Sequence, residues 1–130
     1  MPVNVLDFSY RNSFIQQVLP VALNRNMGVL AMKTLADGRF FPVKKHGSRQ
    51  VWTTDDAVIP DRISLREALY FTWSLPVSVL ITGAENTGYI LEKIQLPRDF
   101  AKLPENERLK ILDKVADLAE KGTVEYYKRR

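Results

Sequence analysis

The chain has 130 residues, 45% of them hydrophobic and 26% charged, with seven prolines, six glycines and no cysteine. One domain fits that length, and the missing cysteine excludes disulfides, thiolate metal ligands and thiol nucleophiles, which agrees with a reducing, cytoplasmic setting. No apolar run is long enough to span a bilayer, the N-terminus lacks a signal-peptide pattern, and the net charge of +4 is unevenly placed.

In chain order, residues 3–6 read as a brief strand. Residues 12–26 carry Phe14, Ile15, Val18, Leu19, Ala22 and Leu23 at a helical period, with Pro20 expected to kink or divide the helix. Residues 29–32 form an apolar run of strand length. A long strand-to-helix loop, 34–63, shows no sustained period, and a loop of that length in a compact domain usually binds something. Ser64-Leu65-Arg66-Glu67 is a capping box that opens a helix running to about residue 75, where Pro76 stops it. Residues 77–81 are nearly all apolar and β-branched, as a strand covered on both faces would be. A helix follows from about 87 to 96. Leu109, Leu112, Val115, Ala116 and Ala119 then mark a final amphipathic helix, with Pro104 in its first turn and Gly122 just past its end.

Strands alternating with helices predict α/β organisation around a parallel sheet. Three strands make a poor sheet alone, because two of them are edges. The pattern therefore reads as incomplete, and open edges predict self-association. The charge has its own location. Residues 33–51 hold five bases (Lys33, Arg39, Lys44, Lys45, Arg49) against Asp37, a local +4, while the other segments nearly balance. Such a segment is either a solvated loop or an anion site. His46, the single histidine, has no partner at metal-ligand spacing, so no metal is expected. The basic end, Tyr126-Tyr127-Lys128-Arg129-Arg130, is expected to dangle.

Three stretches in register carry a resemblance. Val18-Leu19-Pro20 followed by Gly28-Val29-Leu30-Ala31-Met32-Lys33-Thr34-Leu35-Ala36-Asp37-Gly38, then Ser64-Leu65-Arg66-Glu67-Ala68-Leu69, then Val79-Leu80-Ile81-Thr82-Gly83, together resemble the C-terminal part of aldo/keto reductases. The resemblance implies a single domain, 1–130, forming the C-terminal portion of a (β/α)8 barrel: about three parallel strands, flanking helices and a closing C-terminal helix, with the barrel incomplete. A whole barrel takes about 250 residues. It also implies carbonyl reduction with NADP or NAD and no metal. The family's catalytic Asp, Tyr, Lys and His would lie outside this half. Asp7, Tyr10, Lys33, His46 and Tyr70 do not sit in the family's catalytic contexts, so no catalytic residue is assigned.

By the same resemblance, Met32 sits where an aromatic often stacks on the nicotinamide, and Lys33, Thr34 and Leu35 follow where the backbone meets the pyrophosphate. After the last strand, Gly83 and Ala84 replace the family's Lys-Ser, Tyr89 replaces its Arg, Glu92 keeps its Glu and Lys93 replaces its Asn. Glu85 is placed to accept from a ribose hydroxyl. Asn86 is either a cofactor contact or a plain helix N-cap. The function expected is an oxidoreductase fragment that contributes nicotinamide-cofactor-binding elements, with a small carbonyl substrate acting only in a complete barrel. The other reading is a non-catalytic half-barrel that binds or assembles. Nucleic acid and membrane are not expected partners. Phe40, Phe41 and Trp52 meet the pattern of bases interleaved with aromatics only loosely.

Overall fold

The structure, a computed structural model, describes residues 1–84 and 86–128. Local hydrogen bonding decides the first element. The Asn4 side chain accepts from the backbone N–H groups of Leu6 and Asp7, at 2.9 and 3.1 Å, and so caps a helix, α1 (Val5–Ser9). The strand expected over 3–6 therefore does not form, and a single parallel bridge joins Pro2, just before it, to Met32. Ser13 caps α2 (Phe14–Gln17), and α3 (Leu19–Asn24) begins with Pro20 in its first turn. The helix expected over 12–26 is thus divided at Val18, as a proline without an N–H requires.

Two short strands, β1 (Leu30–Ala31) and a later one at Val79–Leu80, pair in parallel, Leu30 with Val79 and Ala31 with Leu80. Between them, β2 (Val43–His46) and β3 (Arg49–Thr53) form an antiparallel hairpin, so the segment 34–63 is ordered around a turn at Gly47. A wide turn at Val58–Arg62 leads to α4 (Leu65–Trp73), and Val79–Leu80 is β4. The chain ends with α5 (Thr87–Gln95), α6 (Glu105–Asp113), α7 (Ala116–Lys121) and a helical turn at Tyr126–Lys128. The final helix is therefore two helices, broken around Val115, and Pro104 caps the first of them from outside. Gly122 closes α7 in the left-handed region at φ 60°.

The expected portion of a (β/α)8 barrel with three parallel strands is not what forms. The described residues make a small α/β domain with seven short helices and two separate two-stranded sheets, one parallel and one antiparallel. The reasons are local. Asn4 turns residues 5–9 into helix, and Val77 is held in a turn by its N–H to the Leu75 carbonyl. Residues 77–81 are also not covered on both faces, since Val79 and Ile81 are about half exposed.

The core lies instead among helices. Val5 and Leu6 of α1, Leu69 and Phe71 of α4, Ile111 and Leu112 of α6, Val115, and Leu118 of α7 are buried together with Phe40 and Val58. Among the described residues, no helix is long and apolar enough to cross a membrane.

Candidate functional site

A cleft of about 650 Å³ opens beyond the carboxyl ends of β1 and β4. Ligands of parallel α/β sheets gather at that end, and the volume falls in the range of small-molecule pockets. Its walls are Met32 to Leu35 with Asp37 and Gly38, the hairpin residues Val43, Lys44 and Lys45, and the segment from Ile81 to Ala84.

The loop after β1 has an unusual backbone. Lys33 (φ 55°), Ala36 (φ 49°) and Asp37 (φ 60°) all adopt the left-handed region, followed by Gly38 at 79°. Each such non-glycine residue costs about 1–3 kcal/mol and persists only where its surroundings hold it. The Lys33 carbonyl accepts from Asn4 Nδ2 at 3.1 Å. Thr34 is buried, with its hydroxyl reaching the Ile81 carbonyl at 3.5 Å, and Leu35 is in the core.

Charge is concentrated here. Lys33 Nζ lies 3.1 Å from Asp37 Oδ1 and Lys44 Nζ 2.8 Å from Asp37 Oδ2. Lys44 also donates to the Asp37 carbonyl. The Tyr126 hydroxyl donates to Asp37 Oδ2 at 3.0 Å. Partial burial pushes the Asp37 carboxyl up, but the hydrogen bonds from Lys44, Lys33 and Tyr126 outweigh it and bring it down to about 2. Lys45 also lines the cleft, so three cations and one carboxylate are gathered in its walls. The arrangement can hold an anion, and Met32 and Ile81 add apolar surface on which a flat ring can rest.

Of the residues singled out from sequence, Met32, Lys33, Thr34, Leu35 and Gly83 line this cleft. Asn86, Tyr89 and Glu92 do not. Asn86 caps α5, accepting from the Tyr89 N–H at 2.9 Å. The Tyr89 ring packs on Phe41, 4.5 Å between centroids, and Glu92 is exposed on α5. Glu85 falls outside the described residues. Gly83 contributes its carbonyl, which accepts from Lys93 Nζ at 2.6 Å.

Sequence reasoning did not single out Asp37, Gly38, Val43, Ile81 or Thr82 as wall residues, whereas Lys44 and Lys45 fell in the basic segment read as either a solvated loop or an anion site. The charge excess over 33–51 was a signal for the lysines. A hairpin folding them back over the β1 loop left no comparable signal. Of the end expected to dangle, Tyr126 to Lys128 are docked, and Arg129 and Arg130 lie outside the described residues. Tyr126 stacks on the Arg39 guanidinium, 3.8 Å from its carbon to the ring centroid, and the Lys128 side chain is 4% exposed.

Among the described residues, no group of three His, Asp or Glu side chains could hold a metal ion. Compared with protein-family models, curated proteins and solved structures, the chain matches none. These comparisons do not identify the aldo/keto reductases, so that resemblance rests on the quoted residues alone.

Proposed function

We propose that the cleft beyond β1 and β4 binds a nicotinamide dinucleotide, NADP or NAD, of the kind aldo/keto reductases use. The observation that carries this reading is the convergence of Lys33 and Lys44 on one carboxylate beside the apolar Met32 and Ile81. A dinucleotide offers phosphates to the cations and a planar ring to the apolar wall. The strained loop supports it, because backbone held in the left-handed region clusters where ligands are gripped. Lys44 and Lys45 supply positive charge that Gly83 and Tyr89 lack, which leaves NADP usable. A cysteine-free chain drawing on such a cofactor suits the cytoplasm.

Reducing a small carbonyl compound also needs an acid at its oxygen. Neither Tyr nor His lines the cleft among the described residues. On this reading the chain is an oxidoreductase fragment that holds cofactor and turns over no carbonyl by itself. Titration of the purified chain with NADPH, read by calorimetry, tests this. A charge-assisted hydrogen bond contributes about 1.5–3 kcal/mol, so Lys33→Ala with Lys44→Ala should weaken NADPH at least about tenfold. Absence of binding at millimolar NADPH, or equal affinity in the double variant, would sink the reading.

A second reading, a non-catalytic assembly module, is favoured by one observation. Leu30, Met32, Val79 and Ile81 stand side by side on one face of the parallel pair, each 42% to 53% exposed. On this reading a second copy of the chain covers that face.

A further inference from the structure

The Tyr126–Lys128 turn engages the cleft loop through Tyr126 and Tyr127 and is anchored away from it by Lys128. Lys128 Nζ is paired with Asp7 Oδ1 and, at 2.7 Å, with Glu125 Oε2. All three groups are buried: Asp7 is 0% and Glu125 2% exposed, and the Lys128 side chain 4%. The excess negative charge is met by further donors. Asp7 accepts from the Ser13 hydroxyl at 3.1 Å and from the N–H groups of Phe14 and Ile15 at 3.1 and 2.8 Å. Glu125 Oε1 accepts from Asn4 Nδ2 at 2.8 Å and from the Tyr127 hydroxyl at 2.9 Å. Burial pushes the Tyr127 phenol up, and the Glu125 charge acts the same way, so its proton stays on that bond.

From this anchor, two contacts run to the cleft. Lys33 Nζ lies 5.6 Å above the Tyr127 ring, and the Tyr126 hydroxyl reaches Asp37. Asn4 joins the two ends, since the same Nδ2 that meets Glu125 also donates to the Lys33 carbonyl. Lys33 and Asp37 are two of the residues whose left-handed backbone needs outside support.

We propose that the Tyr126–Lys128 turn is a positioning latch for the cleft, in which Lys128, locked between Asp7 and Glu125, holds Tyr127 and Tyr126 against Lys33 and Asp37. Docking of the turn and occupation of the cleft are then coupled, and the coupling is reciprocal. Lys128 touches no ligand; it acts through the loop. The coupling to occupation rests on the cleft being the cofactor site, whereas the hold on the loop does not.

Amide hydrogen exchange on the full chain, with and without saturating NADPH, separates the two. Without ligand, Lys128→Met should speed exchange across both 124–128 and 33–38 by about tenfold, leave α4 unchanged, and be rescued by Lys128→Arg. If Lys128→Met also loosens α4, Tyr126→Phe decides, because Tyr126 is partly exposed and its hydroxyl is removed without disturbing the buried charges. Exchange over 33–38 should then rise about threefold with α4 unchanged. With NADPH, amides of 124–128 in the unaltered chain should slow together with those of 33–38. If 33–38 is indifferent to release of the turn, the latch is wrong. If NADPH protects 33–38 but not 124–128, the coupling is wrong. If NADPH does not bind, the cofactor reading falls, and the latch still stands or falls on the ligand-free exchange.

Discussion

Asp37 is the residue on which the cleft's electrostatics turn. It carries the only carboxylate among the cleft-lining residues described and is met by Lys33, Lys44 and Tyr126. A carboxyl held near 2, against an ordinary value of 3.8, binds its proton less readily in the folded state than in the unfolded chain. Ionised Asp37 therefore stabilises the fold at pH values above about 4, and that contribution is lost as the pH falls from about 4 to about 2. Lys44→Met removes one donor and one charge, so the Asp37 carboxyl should titrate closer to its ordinary value. A carbon-13 titration of the Asp37 carboxyl checks this, and an unmoved midpoint would mean that Lys44 contributes nothing at that carboxylate. A bound phosphate competes for the same lysines, so Asp37 should also titrate higher when the cleft is filled. None of this is written in the residue types. A lysine four or seven places from a carboxylate says nothing of partnership until a left-handed turn and a hairpin bring them together.

At the scale of elements, what could be read from sequence was what local hydrogen bonding decides. Ser64 and Glu67 form the expected capping box, with Glu67 N to Ser64 Oγ at 3.1 Å and Ser64 N to Glu67 Oε2 at 2.8 Å. Partial burial pushes the Glu67 carboxyl up, but bonds from Lys114 and Ser64 outweigh it and lower it. The Lys114 contact, 2.6 Å, ties the start of α4 to the residue that follows α6. Ser64→Ala should cost about 1 kcal/mol, seen as a lower urea midpoint at unchanged slope. An unchanged midpoint would show that α4 is held by packing of Leu65, Leu69 and Phe71 alone. Pro20 and Gly122 were legible for the same reason, since each acts on its own turn. The strands were not. Residues 3–6 have the composition of a strand, yet Asn4 competes as a cap and wins. Residues 77–81 have the β-branched content of a buried strand, but only Val79 and Leu80 find a partner. Strand content depends on neighbours distant in sequence, and a periodicity argument has no term for their absence.

For the whole molecule, that shortage of strand partners has a consequence. β4 has β1 on one side and no strand on the other among the described residues, and both expose apolar side chains on one face. Unpaired edges and apolar patches in a monomer are routes to association. A second copy presents the same edge and the same patch, so one twofold arrangement covers both at once. We expect the chain to associate at micromolar concentration, with a sedimentation coefficient that rises with concentration. Leu30 and Val79 are the pair to test, because they sit opposite each other in the sheet while neither lines the cleft. Leu30→Lys with Val79→Lys places two like charges in the patch. In an isolated molecule the change is mild, since both side chains are already half exposed. Across a twofold interface it sets four cations against one another without water, at a cost of several kcal/mol. The double variant should therefore sediment as a monomer while keeping the NADPH affinity of the unaltered chain. A concentration-independent monomer before any substitution would remove the assembly reading. Loss of NADPH binding together with association would instead show that the cleft is completed by the second copy.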